Sequence, residues 1–181
     1  MPVANAPILS LCDRVAPDLD ILFVGINPSL RSAEVGHHFA SKGNPFWRLL
    51  HASGLTAELH APEDDVALPA RGLGITNVCS RATRSAAELG RDELREGGRA
   101  LPDRVAALRP RIVALVGVSL YPHVFPGGRE TGPGAKRARL AGARVFVLPN
   151  PSGLNQAYPG FQVKLVWFRR LARLAGRARS A

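Results

Sequence analysis

Two cysteines, Cys12 and Cys79, are all that the 181 residues contain, and they form no Cys-x-x-Cys pair. That argues against a disulfide framework or a cysteine zinc site and fits a reducing cytoplasm. No cluster of His, Cys, Asp and Glu has metal-ligand spacing. No apolar run approaches the ~20 residues that a membrane helix needs. The N-terminus lacks a basic segment followed by an apolar one, so no secretory signal is expected and the location read is cytoplasmic. No Gly-x-Gly-x-x-Gly or Gly-Lys-Ser/Thr phosphate loop follows the first apolar run, which weakens a nucleotide-binding reading. Acidic residues run short in one place. Residues 97–181 hold two Asp/Glu against fifteen Lys/Arg, whereas residues 1–96 hold twelve against nine. The net charge of +10 thus comes from the second half. A surface so basic attracts polyanions, nucleic acid above all, although an Arg-rich compositional bias raises charge in the same way.

What is present reads as a folded α/β domain. Hydrophobic residues make up 46% and charged residues 21%, a globular balance. Four apolar, β-branched runs (Ile21–Gly25, Gly74–Val78, Ile112–Gly117, Arg144–Leu148) are continuous rather than alternating. Such strands are covered on both faces, as in parallel sheets with helices on each side. Helical patterns fall between them. Residues 44–54 start at Asn44 with Pro45 in the first turn and end at Gly54, the usual stop and start signals. Residues 91–110 are acidic early and apolar later, with Gly97, Gly98 and Pro102 expected to split them. The stretch 161–176 is amphipathic, with its basic residues toward the C-terminal end. The order predicts a three-layer α/β/α sandwich around a mostly parallel sheet of about four strands. One domain spans residues 1–181, with a core from 20 to 175 and loose ends at 1–17 and 177–181. Gly/Pro-rich residues 126–134 and 157–160 read as surface loops.

Two strand ends carry the same tripeptide: Asn27-Pro28-Ser29 after the first strand and Asn150-Pro151-Ser152 after the last. In open parallel sheets ligands bind beyond the carboxyl ends of the strands. Each Pro stiffens its loop and keeps the preceding Asn out of helical conformation. Either copy alone is also a good turn; two at matching strand ends point to one crevice. The segments Gly25–Ser29 and Asn150–Asn155 resemble the two signature motifs of the uracil-DNA glycosylase superfamily, most closely its mismatch-specific uracil/thymine branch. Residues 36–47, 72–83 and 93–101 resemble that branch as well, so the likeness covers roughly residues 20–175.

The resemblance implies a hydrolase that needs neither metal nor cofactor, flips a nucleotide out of duplex DNA and breaks its base–sugar bond. Asn27 matches the catalytic position, where other branches carry Asp. An amide cannot act as a base and only orients water through its carbonyl, which implies slow chemistry helped by a good leaving group. Phe39 matches the aromatic that stacks on the base, and Ile26 and Phe39 would offer backbone groups to its edge. Ser29 replaces a more usual Gly, and Ser32 matches a position beside C5 of the base, where a hydroxyl would disfavour thymine. His37 and His38 instead resemble thymine-processing members. Asn44 reads as helix cap, pocket residue or both, and Thr76 and Asn77 as pocket floor. Asn150 stands where other branches have a His that donates to O2. Ser152 would bind a phosphate, Gly153 and Leu154 form a wedge in the stack, and Asn155 and Gln156 touch the opposite strand. Lys136 and Arg137, with Arg139, Lys164, Arg169 and Arg170, would follow the DNA backbone or simply form solvated faces.

The leading reading is a monomeric, monofunctional enzyme that excises uracil, and thymine less well, from G·U and related mismatches in double-stranded DNA. The alternatives are a uracil-DNA glycosylase of another branch that accepts single strands, and a DNA-binding relative without activity.

Overall fold

Five strands, one more than the sequence suggests, form the central sheet of the computed structural model, which describes residues 9–177. Their order is β2-β1-β3-β5-β4. β1 (Ile21–Gly25), β2 (Leu73–Asn77), β3 (Ile112–Val116) and β5 (Ala143–Leu148) are the four expected apolar runs and pair in parallel. The added strand β4 (Gly134–Leu140) is antiparallel to β5. It hides in the sequence because one of its faces is solvated. Its residues alternate between exposed and partly buried positions, the pattern of an antiparallel edge rather than a buried strand. The pairing of β4 and β5 shifts register between Lys136 and Arg139. There Glu130 accepts hydrogen bonds from the backbone N–H of Arg137 (3.1 Å) and Ala138 (3.5 Å).

Helices cover both faces, as the apolar strands require. On one face Phe23, Ile75, Ala114 and Phe146 pack against α2 (Phe46–Ala52) and α5 (Phe161–Leu174). On the other, Leu22, Val113 and Val145 pack against α3 (Arg91–Leu108) and α4 (Tyr121–Val124). A short helix, α1 (Leu30–Val35), follows the first Asn-Pro-Ser. α3 is one continuous helix of 18 residues; its glycines are close-contact sites, not breaks. A Cβ on Gly97 would meet the Val78 carbonyl oxygen at 2.5 Å, and one on Gly98 the His123 carbonyl oxygen at 2.4 Å. The helix tolerates them because they let it lie against its neighbours.

Of the ends expected to be loose, residues 1–8 and 178–181 lie outside the described residues. Over residues 9–17 the chain instead pairs with β2. Arg14 and Ile75 exchange both backbone hydrogen bonds, at 2.9 and 2.8 Å, and Leu11 is buried. Arg177 bonds the Asp20 carboxylate, which lies at the amino edge of the sheet beside β1. Asp18 and Asp20 gather Arg109 and Arg111 at the same edge. Arg139 and Arg144 face each other there across β4 and β5. Much of the second half's arginine therefore sits at the edge away from the strand-end loops.

Candidate active site

The chain runs from β1 outward to β2 and then returns across β1 to β3. This reversal opens a crevice at the carboxyl edge. A cavity of about 640 Å³ sits there, within the range of small-ligand sites. It is lined by Ile26, Asn27, Ser29, Ser32, His38, Phe39, Asn44, Asn77, Asn150, Ser152, Gly153 and Leu154. Of the pocket residues named from the sequence all but Thr76 thus line one cavity, joined by three second-motif residues expected on DNA, Ser152, Gly153 and Leu154.

The loop after β1 is fixed by the segment after β2. Cys79 N–H donates to the Ile26 carbonyl at 2.8 Å and Thr83 N–H to the Pro28 carbonyl at 3.2 Å. Asn27 Nδ2 donates to the Arg81 carbonyl (2.9 Å) and to Thr83 Oγ1 (2.7 Å). A carbonyl only accepts, so the amide nitrogen must face Arg81 and its orientation is settled. Asn27 Oδ1 has no partner among the described residues and remains an acceptor in the cavity. The Arg81 side chain is itself clamped by Glu93, at 3.0 and 2.9 Å. Ser29 caps α1: its hydroxyl accepts from Ser32 N–H (3.1 Å) and Ser41 Oγ (2.9 Å) and donates to Ser32 Oγ (3.0 Å). A cap of this kind contributes about 1 kcal/mol, and Gly at this place offers no such oxygen.

Phe39 is held in a left-handed backbone conformation, φ 54°, which costs an aromatic residue about 1–2 kcal/mol. Both neighbours are pinned by buried side chains. His38 N–H donates to Asp65 Oδ2 (2.8 Å), and Ala40 N–H donates to Ser32 Oγ (3.1 Å). Trp47 Nε1 donates to the His38 carbonyl at 3.3 Å. One face of the Phe39 ring stacks on Phe46, with centroids 3.7 Å apart and an interplanar angle of 17°. Phe39 also lines the cavity. Asp65, fully buried, also receives Arg14 Nε (2.8 Å) and contacts His37 Nδ1 (3.1 Å). Burial pushes the Asp65 pKa up, but the bonds from Arg14, His38 and His37 outweigh it and hold the carboxyl below its usual value. Burial lowers the His38 pKa, against the opposing bond to the Cys12 carbonyl. His38 Nε2 lies 3.0 Å from that carbonyl, so the neutral ring carries its proton on Nε2 and Nδ1 is an acceptor.

The loop after β5 reverses the first loop's arrangement. Asn150 Oδ1 accepts Ser152 N–H at 2.9 Å, and its Nδ2 has no partner among the described residues. Here the amide oxygen is occupied and the nitrogen is offered. Asn155 Nδ2 closes the turn on the Asn150 carbonyl at 3.0 Å. Leu154 is 90% exposed, which fits an apolar tip and excludes a core role. From beneath, Lys164 Nζ donates to the Ser152 carbonyl at 2.9 Å.

Several expected positions move. Thr76 is buried with its hydroxyl on Arg104 (3.0 Å) and does not line the cavity. Asn77 does, since Gly25 leaves room for it: a Cβ there would meet Asn77 Oδ1 at 2.5 Å. Asn44 precedes Pro45, the N-cap of α2, accepts the N–H of Phe46 at 3.0 Å and also lines the cavity. Lys136 is tied to the carbonyls of Thr131 (2.9 Å) and Gly132 (2.8 Å), so it braces a loop instead of standing free. Arg137 is exposed on β4. Lys164 is buried and lies on no solvated face. Lys42, which matches no catalytic lysine position, and Arg84, which sequence reasoning passed over, are exposed cations that line the cavity without an ion pair among the described residues. It also missed Asp65 and Arg14, whose pairing spans 51 positions.

An α/β sheet with a polar cleft at its carboxyl edge, walled on one side by an aromatic ring, offers a site for a small ligand. The family model of the uracil DNA glycosylase superfamily matches residues 12–172, and the chain belongs to that superfamily. Membership makes it a DNA-repair glycosylase, a hydrolase that acts on DNA. A Methanosarcina acetivorans protein, provisionally described as a uracil DNA glycosylase and solved by NMR, has the same fold. It is 20% identical, with a TM-score of 0.61 over 90% of this chain and 96% of that one. Among the described residues no three His, Cys, Asp or Glu side chains form a metal-holding group. No helix among them is long and apolar enough to cross a membrane.

Proposed function

We propose that the protein excises uracil from G·U and related mismatches in double-stranded DNA and leaves an abasic site without cutting the strand. The observation that carries this reading is the opposed orientation of two amides in one cavity, Asn27 offering an oxygen and Asn150 a nitrogen. Base loss makes the sugar cationic and the base anionic. An acceptor serves the first need by holding the attacking water, and a donor serves the second at the base oxygen. Water adds to C1′, the C1′–N1 bond breaks, and the electron pair leaves with the base. Phe39 stacks on the flipped pyrimidine, Ser32 crowds a C5 methyl, and Leu154 fills the vacated stack. Ile26 and Asn77 border the base, and His38 presents Nδ1 as an acceptor. Ser152, Gly153, Asn155 and Gln156 meet the DNA strands. Neither amide titrates, so the rate is modest and follows the leaving group, uracil ahead of thymine.

Single-turnover release of base from duplexes carrying U or T opposite G or A, beside single-stranded U, tests the reading. We expect G·U first, thymine well behind, and about a thousandfold loss in Asn27→Ala. Equal release by Asn27→Ala removes that residue from the chemistry. Preference for single strands favours another branch, and no release at large enzyme excess leaves a DNA-binding relative.

A further inference from the structure

Lys164 lies in the first turn of α5 and is 2% exposed. No carboxylate among the described residues lies within ion-pair distance of it, and its one hydrogen bond goes to the Ser152 carbonyl. A buried ammonium without a counter-charge is costly, and a carbonyl alone is served as well by a neutral donor. The uncompensated charge sits directly beneath the Asn150–Leu154 loop, one wall of the cavity. Gly153 is exposed, and its N–H has no partner among the described residues.

We infer that Lys164 is a positioning residue that completes its ion pair only when a phosphodiester anion of DNA seats on this loop. Its ammonium holds the Ser152 carbonyl inward and gives the loop a fixed positive charge from below, while Gly153 N–H and the Ser152 hydroxyl approach the anion from above. The inference rests on the glycosylase reading for its ligand and adds a residue that touches neither base nor reacting bond.

The test compares wild type, Lys164→Gln and Lys164→Met in the whole protein. Gln keeps a donor for the carbonyl without charge, and Met keeps neither but packs in the same space. Affinity for a fluorescent duplex carrying a stable abasic analogue is measured by anisotropy across a salt series. Thermal melting and the single-turnover rate at saturating DNA are followed in parallel. Both variants should bind about tenfold more weakly at low salt, with the slope of log K against log salt smaller by about one. Their melting temperature should hold or rise, and the maximal rate at saturating DNA should fall by less than the affinity does. A wild-type salt slope in either folded variant overturns the inference. So does a loss confined to melting temperature and maximal rate, the mark of a purely structural lysine. If wild type binds duplex but releases no base, the glycosylase reading fails while the salt slopes still decide the role of Lys164.

Discussion

The two Asn-Pro-Ser loops share a tripeptide and a sheet edge but differ in what surrounds each asparagine. After β1, the amide nitrogen of Asn27 is consumed by the Arg81 carbonyl and Thr83. After β5, the amide oxygen of Asn150 is consumed by the backbone N–H of Ser152. An amide carries one donor end and one acceptor end, so tethering one end chooses which is offered. The same residue type thus presents opposite ends at one cavity, and the choice is made by the partner behind it.

That contrast can be broken most sharply by exchanging amide for carboxylate at each place. Asn150→Asp keeps an oxygen for Ser152 N–H but replaces the offered nitrogen with a second oxygen. It is expected to lower single-turnover release of uracil about a hundredfold, roughly 2.7 kcal/mol. Asn27→Asp keeps an oxygen in the cavity and should lose far less than Asn27→Ala. Equal losses in the two Asp variants would sink the distinction between the loops.

Next in size is the support of the aromatic wall beside the first loop. Asp65→Asn removes the charge that Arg14, His37 and His38 share and should cost about 2 kcal/mol of stability at pH 7. The folded pKa of Asp65 lies below its ordinary 3.8. Its stabilisation is therefore fully present above about pH 5 and is lost as pH falls through the lowered value. Chemical unfolding of wild type and variant should differ by a constant amount from pH 7 to 5 and converge below pH 4. A difference that grows on acidification contradicts the assignment.

The smallest effect concerns the exposed tip of the second loop. Leu154→Ala removes apolar surface that the free protein leaves in water, so melting should not change. Affinity for mismatched duplex should fall about tenfold, since the side chain counts only when seated among bases. A lowered melting temperature would show that Leu154 packs in the free protein.

The four parallel strands, the helix after Asn44 and both loops were legible because each is written within a few residues. Continuous apolar runs give buried strands, and Pro beside Asn gives a fixed turn. β4 was not legible because its alternating, basic sequence reads as loop until β5 supplies its partner. α3 was misread as broken, since Gly97 and Gly98 look like breakers until Val78 and His123 are seen against them. Lys164 reads as a contact to the DNA backbone or part of a solvated face because nothing local reveals that its end of α5 is covered. Arg14, Asp65 and Thr83 were missed as supports, because their partners lie far away in the chain. The charge excess pointed to nucleic acid, yet much of it sits at the amino edge, where Asp18 and Asp20 neutralise part of it.

The anchoring of residues 38–40 reaches beyond geometry. These residues belong to no helix or strand, and a segment of that kind normally trades its amide protons with solvent quickly. The His38 and Ala40 amides instead end on Asp65 and on buried Ser32. The His38 amide is freed when its bond to Asp65 opens, a carboxylate that Arg14 holds from 51 positions away, and the Ala40 amide when Ser32 lets go. The two amides that flank the aromatic wall therefore keep separate time, one with Asp65 and its N-terminal partner, the other with the helix after the first loop.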